Sequence, residues 1–209
     1  MKRFKAYIID FDGTLIDSYQ GLSTFYNHAF GAIGYHVSDE ECYHFSKISL
    51  EAAYNEKVGK RELLDKFTKA AYEVVGTGVL LKYNKFFYDS EDFISFIKNN
   101  NLPCALVTGN AHIHVNMVLN NLHTGDFLKA IITSEDISKQ KPDPEGLLLA
   151  MNKLNYHDDL SDICYVGDSY NDYLAAKSAG ITPILIDRHN EFKENSDYIR
   201  ITTLDELFK

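Results

Sequence analysis

The chain has 209 residues, of which 45% are hydrophobic, and a formal net charge of −9. That length supports a sizeable core in one large domain or two small ones. The acidic balance argues against nucleic acid and anionic membranes as general partners, so an anionic substrate must be held by local positive charge from a lysine or a metal. No apolar run approaches the roughly 18 residues of a membrane span. Asp10 interrupts the first apolar run early, so a secretory signal is not expected. Cys42, Cys104 and Cys164 are an odd set without metal-ligand spacing. They read as buried, reduced packing residues, and the expected location is the cytoplasm.

In chain order, Phe4 to Ile9 predicts a strand that ends at Asp10-Phe11-Asp12-Gly13-Thr14. Side chains two apart on a strand share a face, which sets Asp10 beside Asp12, and Gly13 lets the chain turn away. Residues 17–85 read as helical without strand alternation. Ser38 to Glu41 is a capping-box pattern, Ser49 precedes a helix that Gly59 ends, and residues 61–75 carry apolar positions at helical spacing with Gly76 as the stop. From about Phe86 the pattern changes. A helix over 92–99 precedes the apolar run Cys104 to Val107, and a helix over 112–122 precedes Ala130 to Thr133. A helix starting at Pro144 precedes Ile163 to Val166, and a helix over 170–179, stopped by Gly180, precedes Pro183 to Ile186. A last short helix is expected over 204–208. Apolar runs alternating with helices predict an α/β fold with a mainly parallel sheet covered on both faces, into which the helical segment is inserted after the first strand.

Ligands of open α/β sheets bind at the carboxyl ends of the strands. At those ends stand Asp10 and Asp12; Thr108, Gly109 and Asn110; Lys141 between prolines; and Gly167, Asp168 and Ser169, followed by Asp172. The set suits phosphoryl transfer, which depends on positioning and charge neutralisation. Asp10 is placed to attack phosphorus, and Asp12 to protonate the leaving oxygen and later take a proton from water. Thr108 offers a hydroxyl, Gly109 and Asn110 offer backbone N–H groups, and Lys141 offers a point charge. Asp10 with Asp168 forms a hard oxygen site of the kind Mg²⁺ takes. Asp172, four residues on, is read as sharing a helix face with Asp168 and as orienting ligand waters or Lys141. Asp143 is read as a helix N-cap.

These motifs, in this order, resemble the haloacid dehalogenase superfamily: Asp10 to Thr14 for the first, Thr108 for the second, Lys141 for the third, and Gly167 to Asp172 for the fourth. The resemblance implies a three-layer Rossmann-like core over 1–16 and 86–209, with a small helical cap over 17–85 that closes over the site. It implies a Mg²⁺-dependent phosphatase acting on a small phosphorylated metabolite through an aspartyl-phosphate, of the phosphoglycolate phosphatase and β-phosphoglucomutase branch. Asp10 is then the nucleophile and Asp12 the acid/base. Thr108, Gly109, Asn110 and Lys141 contact phosphate. The metal is held by Asp10, Asp168 and the backbone carbonyl of Asp12, with Ser169 and Asp172 around it. A monomer or homodimer is expected.

Competing readings are weighed on particular positions. A true dehalogenase typically lacks the second aspartate, and Asp12 is present. A mutase of the β-phosphoglucomutase type carries a histidine ten positions after that aspartate, where Leu22 stands here. A regulatory or binding protein that has lost turnover is disfavoured by the full catalytic set. His112 and His114, two apart on a helix, do not form a zinc pair. His28, His36 and His44 are candidate substrate contacts of the helical segment. Its aromatics (Tyr19, Phe25, Tyr26, Tyr43 and Tyr54) read as packing, and Lys47, Lys57, Lys60 and Arg61 as solvated helix faces, with contact to a second anionic group of the substrate as the alternative.

Overall fold

The apolar run before Asp10 becomes a four-residue strand buried along its whole length, and the rest of the sheet is arranged around it. The computed structural model describes residues 3–157, 159–192 and 198–209. In chain order the elements are β1 (Ala6–Ile9), β2 (Ile16–Asp17), α1 (Tyr19–Gly31), α2 (Asp39–Phe45), α3 (Leu50–Lys57), α4 (Arg61–Gly76) and β3 (Lys85–Phe86). There follow α5 (Ser90–Asn99), β4 (Cys104–Val107), α6 (His112–Asn121), β5 (Ala130–Ile132), α7 (Glu145–Lys153), β6 (Ile163–Gly167), α8 (Tyr170–Ala179), β7 (Thr182–Ile186) and β8 (Ile199–Ile201). Short 3-10 turns cover Val79–Tyr83, Leu160–Asp162 and Leu204–Leu207. The chain divides into two units. One comprises residues 1–16, 86–112 and 123–209, and the other residues 17–85 and 113–122.

The first unit is built on a six-stranded sheet in the order β5-β4-β1-β6-β7-β8. The registers are parallel throughout, with Tyr7 opposite Cys104 on one side and Cys164 on the other. Successive strands run outward from β1 in both directions, so the topological switch lies at β1, where such sheets open a crevice at their carboxyl ends. Alternation along β1 sorts its side chains by layer. Ala6 and Ile8 join Val107, Ile132, Leu147, Tyr165 and Ala175 on the α7/α8 face. Tyr7 points to the other face and meets the ring edges of Phe93 and Phe96 from α5, at 5.7 and 6.0 Å between centroids. Each such fully buried aromatic or aliphatic side chain contributes about 1.5–3 kcal/mol. All three cysteines are free and buried.

The second unit is helical. α4 buries Phe67, Ala70, Ala71 and Val74, the i, i+3, i+4, i+7 face of an amphipathic helix. Phe67 and Ala71 pack with Tyr26, Phe30, Phe45 and Tyr54, and the Tyr26 hydroxyl donates to the Phe45 carbonyl at 2.8 Å. Lys57 pairs with Glu41 at 2.6 Å. Lys47 is not a solvated lysine as the sequence alone implied. Its ammonium lies 5.4 and 5.0 Å from the ring centroids of Tyr19 and Tyr43.

Several elements differ from the sequence expectation. β8 was not foreseen, nor was the two-stranded sheet of β2 and β3 at the two ends of the helical segment. The last short helix forms over Leu204–Leu207, as a 3-10 turn. α4 ends at Gly76, as expected, but the left-handed residue is Gly78, two positions on, at φ +69°. Asp143 caps as expected, its Oδ1 accepting the Glu145 N–H at 3.0 Å with Pro144 in helical φ/ψ between them. Among the described residues no helix is long and apolar enough to cross a membrane.

The predicted capping box closes in both directions: the Glu41 N–H donates to Ser38 Oγ at 3.1 Å, and the Ser38 N–H donates to Glu41 Oε2 at 2.9 Å. Ser38→Ala is expected to cost about 1 kcal/mol and to lower Tm by roughly 2–4 °C. Thermal unfolding followed by circular dichroism measures this, and an unchanged Tm would show that the cap adds nothing.

Candidate active site

Every cluster foreseen at a strand end lies in the α/β unit, and the switch at β1 brings them to one place. Asp10 extends β1, its N–H donating to the Val166 carbonyl at 2.9 Å; Thr108 extends β4, its N–H donating to the Ile132 carbonyl at 3.0 Å. Asp168 follows β6, the neighbour of β1 on its other side. Lys141 arrives from the loop after β5 and bridges two carboxylates, at 3.1 Å from Asp10 Oδ1 and 2.6 Å from Asp172 Oδ1.

Two glycines allow this crowding. Gly13 turns at φ +72°, and a Cβ there would lie 2.0 Å from Asp168 Oδ2. A Cβ on Gly167 would lie 2.4 Å from Asp172 Cγ. Neither carboxylate could occupy its place beside a larger residue. Asp172 does not reach the site by sharing a helix face with Asp168, as the spacing had implied. Asp168 precedes α8, whose N-cap is Ser169, and Asp172 is the N3 residue of the capping box. The box turns the Asp172 carboxylate back toward the strand ends: its Oδ2 accepts from the Ser169 N–H at 2.9 Å and from Ser169 Oγ at 2.6 Å. Its Oδ1 accepts from Lys141 and from the Tyr165 hydroxyl, at 2.6 and 2.9 Å.

Tyr165 is the site residue that the sequence reading missed. In an apolar strand it looked like packing, yet its buried hydroxyl also accepts from Lys141 Nζ at 2.9 Å. The signal was its place two residues before Gly167, which sends its side chain off β6 with a strand's period of two.

Asp10, Asp168 and Asp172 are all buried and offer carboxylate oxygens within 4.8 Å of one another. The metal set expected from the sequence joins Asp10 and Asp168 with the backbone carbonyl of Asp12, not its carboxylate, and gives Asp172 a supporting place. The Asp12 carboxylate is turned elsewhere and accepts from the Asn110 side-chain amide. Asn110 is thereby tied to Asp12, and both its backbone and its side-chain nitrogen donate to Thr108 Oγ1, at 3.2 and 3.1 Å. Gly109 stands exposed at the same strand end.

Three buried carboxylates face one ammonium, and the charges settle unequally. Burial pushes the Asp10 carboxyl well above the usual range; Lys141 opposes this, and Asp172 and Asp168 add to it. Burial would raise Asp172 too, but Lys141, Ser169 and Tyr165 outweigh it and hold Asp172 low. Burial would lower Lys141, but Asp10 and Asp172 prevail and raise it, so it stays an ammonium. Both oxygens of Asp172 already accept from donors, and Asp10 and Asp168 lie beside it in the same carboxylate cluster. The surplus of buried anionic oxygen, all hard donors, fits a divalent ion.

Comparison with known proteins agrees with this geometry. The chain belongs to the haloacid dehalogenase-like hydrolases, whose family model matches residues 7–186. It is 25% identical over 196 residues to a phosphoglycolate phosphatase of Photorhabdus laumondii, covering 86% of this chain and 79% of that one. It is 26% identical over 180 residues to the pyrophosphatase PpaX of Oceanobacillus iheyensis, covering 85% of this chain and 80% of that one. A solved haloacid dehalogenase-like hydrolase from Bacteroides fragilis superposes with a TM-score of 0.86 at 24% identity, over 98% of this chain and 100% of that one, a likeness of fold.

The two glycines give a direct test of the packing. Gly13→Ala and Gly167→Ala are each expected to cost about 2–4 kcal/mol, since backbone or carboxylate must shift. Urea unfolding measures the loss, and a cost within about 0.5 kcal/mol, the range of an ordinary surface change, would show that the carboxylates relax freely.

Proposed function

We propose that this protein is a Mg²⁺-dependent phosphatase that hydrolyses a small phosphomonoester through a phosphorylated Asp10. The observation that carries the proposal is the Lys141 ammonium lying 3.1 Å from Asp10 inside a buried acidic cluster. A carboxylate aligned by a cation and walled by other anions is equipped to attack phosphorus. In the first step an Asp10 oxygen bonds to phosphorus as the bond to the leaving oxygen breaks, and Asp12 gives that oxygen its proton. In the second step Asp12 takes a proton from water, the water oxygen bonds to phosphorus, and the Asp10–phosphorus bond breaks. Inorganic phosphate leaves, and both aspartates return to their starting states. Thr108, with Gly109 and Asn110, holds phosphoryl oxygens, and Lys141 neutralises the charge that builds on them. Asp10, Asp168 and the Asp12 carbonyl are the groups to hold Mg²⁺, with Ser169 and Asp172 supporting them; the ion supplies further neutralisation of phosphoryl charge.

The helical segment, inserted in the sequence directly after the Asp10 to Thr14 loop, is proposed to select the leaving group as a cap. Names among the relatives favour phosphoglycolate, with pyrophosphate as a second substrate to try. A reducing cytoplasm is proposed from the three free, buried cysteines.

Phosphate release from 2-phosphoglycolate, pyrophosphate, sugar phosphates and nucleotides is expected with Mg²⁺ and lost with chelator. Asp10→Asn is expected to reduce kcat by about 10³-fold or more, as for loss of an attacking group. Beryllium fluoride with Mg²⁺ is expected to mark Asp10, and a mimic on another residue would refute the mechanism. Turnover that survives both chelation and Asp10→Asn would refute the assignment as a whole.

Asp12→Asn is expected to slow alkyl esters by about 10²-fold or more, the scale of general acid catalysis, and aryl esters such as p-nitrophenyl phosphate much less. The aryl leaving group needs little proton assistance. Equal losses on both would count against Asp12 as the acid.

A further inference from the structure

A second buried ion pair lies in the α/β unit, between residues outside the carboxylate cluster, and the mechanism above gives it no part. Arg188, just beyond β7, is 6% exposed at its side chain, and Asp89 is fully buried. The guanidinium forks onto the carboxylate, with Nη1 donating to Oδ2 and Nη2 to Oδ1, each at 3.0 Å. Nη2 also donates to the Thr14 carbonyl at 2.7 Å. The guanidinium carbon sits 3.7 Å from the ring centroid of Phe87. Asp89 in turn accepts the Leu204 N–H at 2.8 Å.

Two features show that this pair serves geometry more than stability. Buried ion pairs contribute little net stability over apolar residues of the same shape, whereas a forked guanidinium fixes direction. Asp89 also stands at the N-cap of α5, where an aspartate ordinarily accepts its own helix's N–H groups; here it makes no such bond and faces Arg188 instead.

The carbonyl that Arg188 holds belongs to the loop carrying Asp12. That loop is closed on itself. The Phe11 carbonyl accepts from the N–H groups of Leu15 and Ile16, at 3.0 and 2.9 Å, and the Ile16 carbonyl accepts from the Gly13 N–H at 2.9 Å. The grip on Thr14 therefore bears on the same hydrogen-bonded loop that carries Asp12. Ser90 Oγ adds a second tie by donating to the Leu15 carbonyl at 2.7 Å.

We infer that Arg188 is a positioning residue for the proton donor: its simultaneous hold on Asp89 and the Thr14 carbonyl fixes the Asp12 loop against the end of β1. The inference rests on the reading of Asp12 as the acid. It goes beyond that reading by assigning the control of leaving-group protonation to a residue that touches neither substrate nor metal ligand.

The experiment measures kcat and KM of Arg188→Lys and Asp89→Asn on p-nitrophenyl phosphate and on 2-phosphoglycolate. Asp12→Asn is measured alongside, and folding is checked by circular dichroism. Lysine keeps one donor but loses the fork. Both variants are expected to reduce kcat on the alkyl ester about tenfold more than on the aryl ester, a part of the general-acid contribution, with KM on either little changed. Equal losses on the two esters would mark the pair as merely structural and overturn the inference, as would unchanged kcat in both variants. If Arg188→Lys fails to fold, Asp89→Asn, which retains the side-chain shape and an acceptor for Leu204, decides by the same ratio. Failure of Asp89→Asn to fold as well would assign the pair to the fold and overturn the inference too. Selective loss in Asp12→Asn but not in the pair variants would refute Arg188 alone. Equal losses in Asp12→Asn itself would refute the acid, and Arg188's positioning role with it.

Discussion

Lys141 lies between Asp10 and Asp172, and the chemistry at the carboxyl ends of the strands depends on that contact. Three carboxylates packed within 4.8 Å repel one another strongly when water is excluded. One ammonium cannot balance three anions. It can, however, hold two of them in a fixed relation, and the Tyr165 hydroxyl and the Ser169 Oγ and N–H divide the remaining load on Asp172. Removing one partner of such a pair typically costs about 3–5 kcal/mol, because the charge left behind stays buried. The site is therefore held together by the groups that make it reactive, and the sheet supplies the force that keeps them close.

That force has a backbone origin. β1 lies between β4 and β6, so its end is flanked on both sides by strands that finish at the same level. Apolar runs such as Ile163 to Val166 bury completely on both faces and carry polar loops with them to the sheet edge. Glycine then decides how near those loops come. Without a Cβ at Gly13 and Gly167, Asp168 and Asp172 enter space that any other residue would fill. A motif that reads in the sequence as a string of acids is, in space, an arrangement of acids around missing side chains.

Much of this was legible from the chain, and the parts that were not share a cause. The strands ending at Asp10, Thr108 and Asp168 were legible because each is a continuous apolar run closed by a polar cluster. β8 and the pair β2–β3 were not: they are three and two residues long and half-exposed, too short for a period of two to show. Gly76 marked the end of α4, but the pattern did not show that Gly78, two residues on, takes the positive φ. Tyr165 and Arg188 were hidden for a different reason. A tyrosine in an apolar strand and an arginine after one have strong ordinary explanations. Their roles depend on partners far along the chain: Arg188 reaches Asp89 and Thr14, 99 and 174 residues away. Local pattern carries no information at that separation.

The two aspartates paired with Lys141 are chemically alike and end in opposite conditions, and the difference lies in donor count. Asp172 has Ser169, Lys141 and Tyr165 as donors across both oxygens and stays anionic; Asp10 has Lys141 and the Phe11 N–H, with two anions at its side, and burial pushes it toward protonation. A cation arriving beside Asp10 and Asp168 would relieve that pressure by supplying what donors supply to Asp172. An Asp10 ionised in this way still carries fewer donors than Asp172, with Lys141 and the Phe11 N–H against the Ser169, Lys141 and Tyr165 groups on its neighbour. A structural carboxylate is made inert by satisfying every oxygen. The nucleophilic role proposed for Asp10 calls for fewer donors, and the unequal sharing of one lysine is in keeping with it.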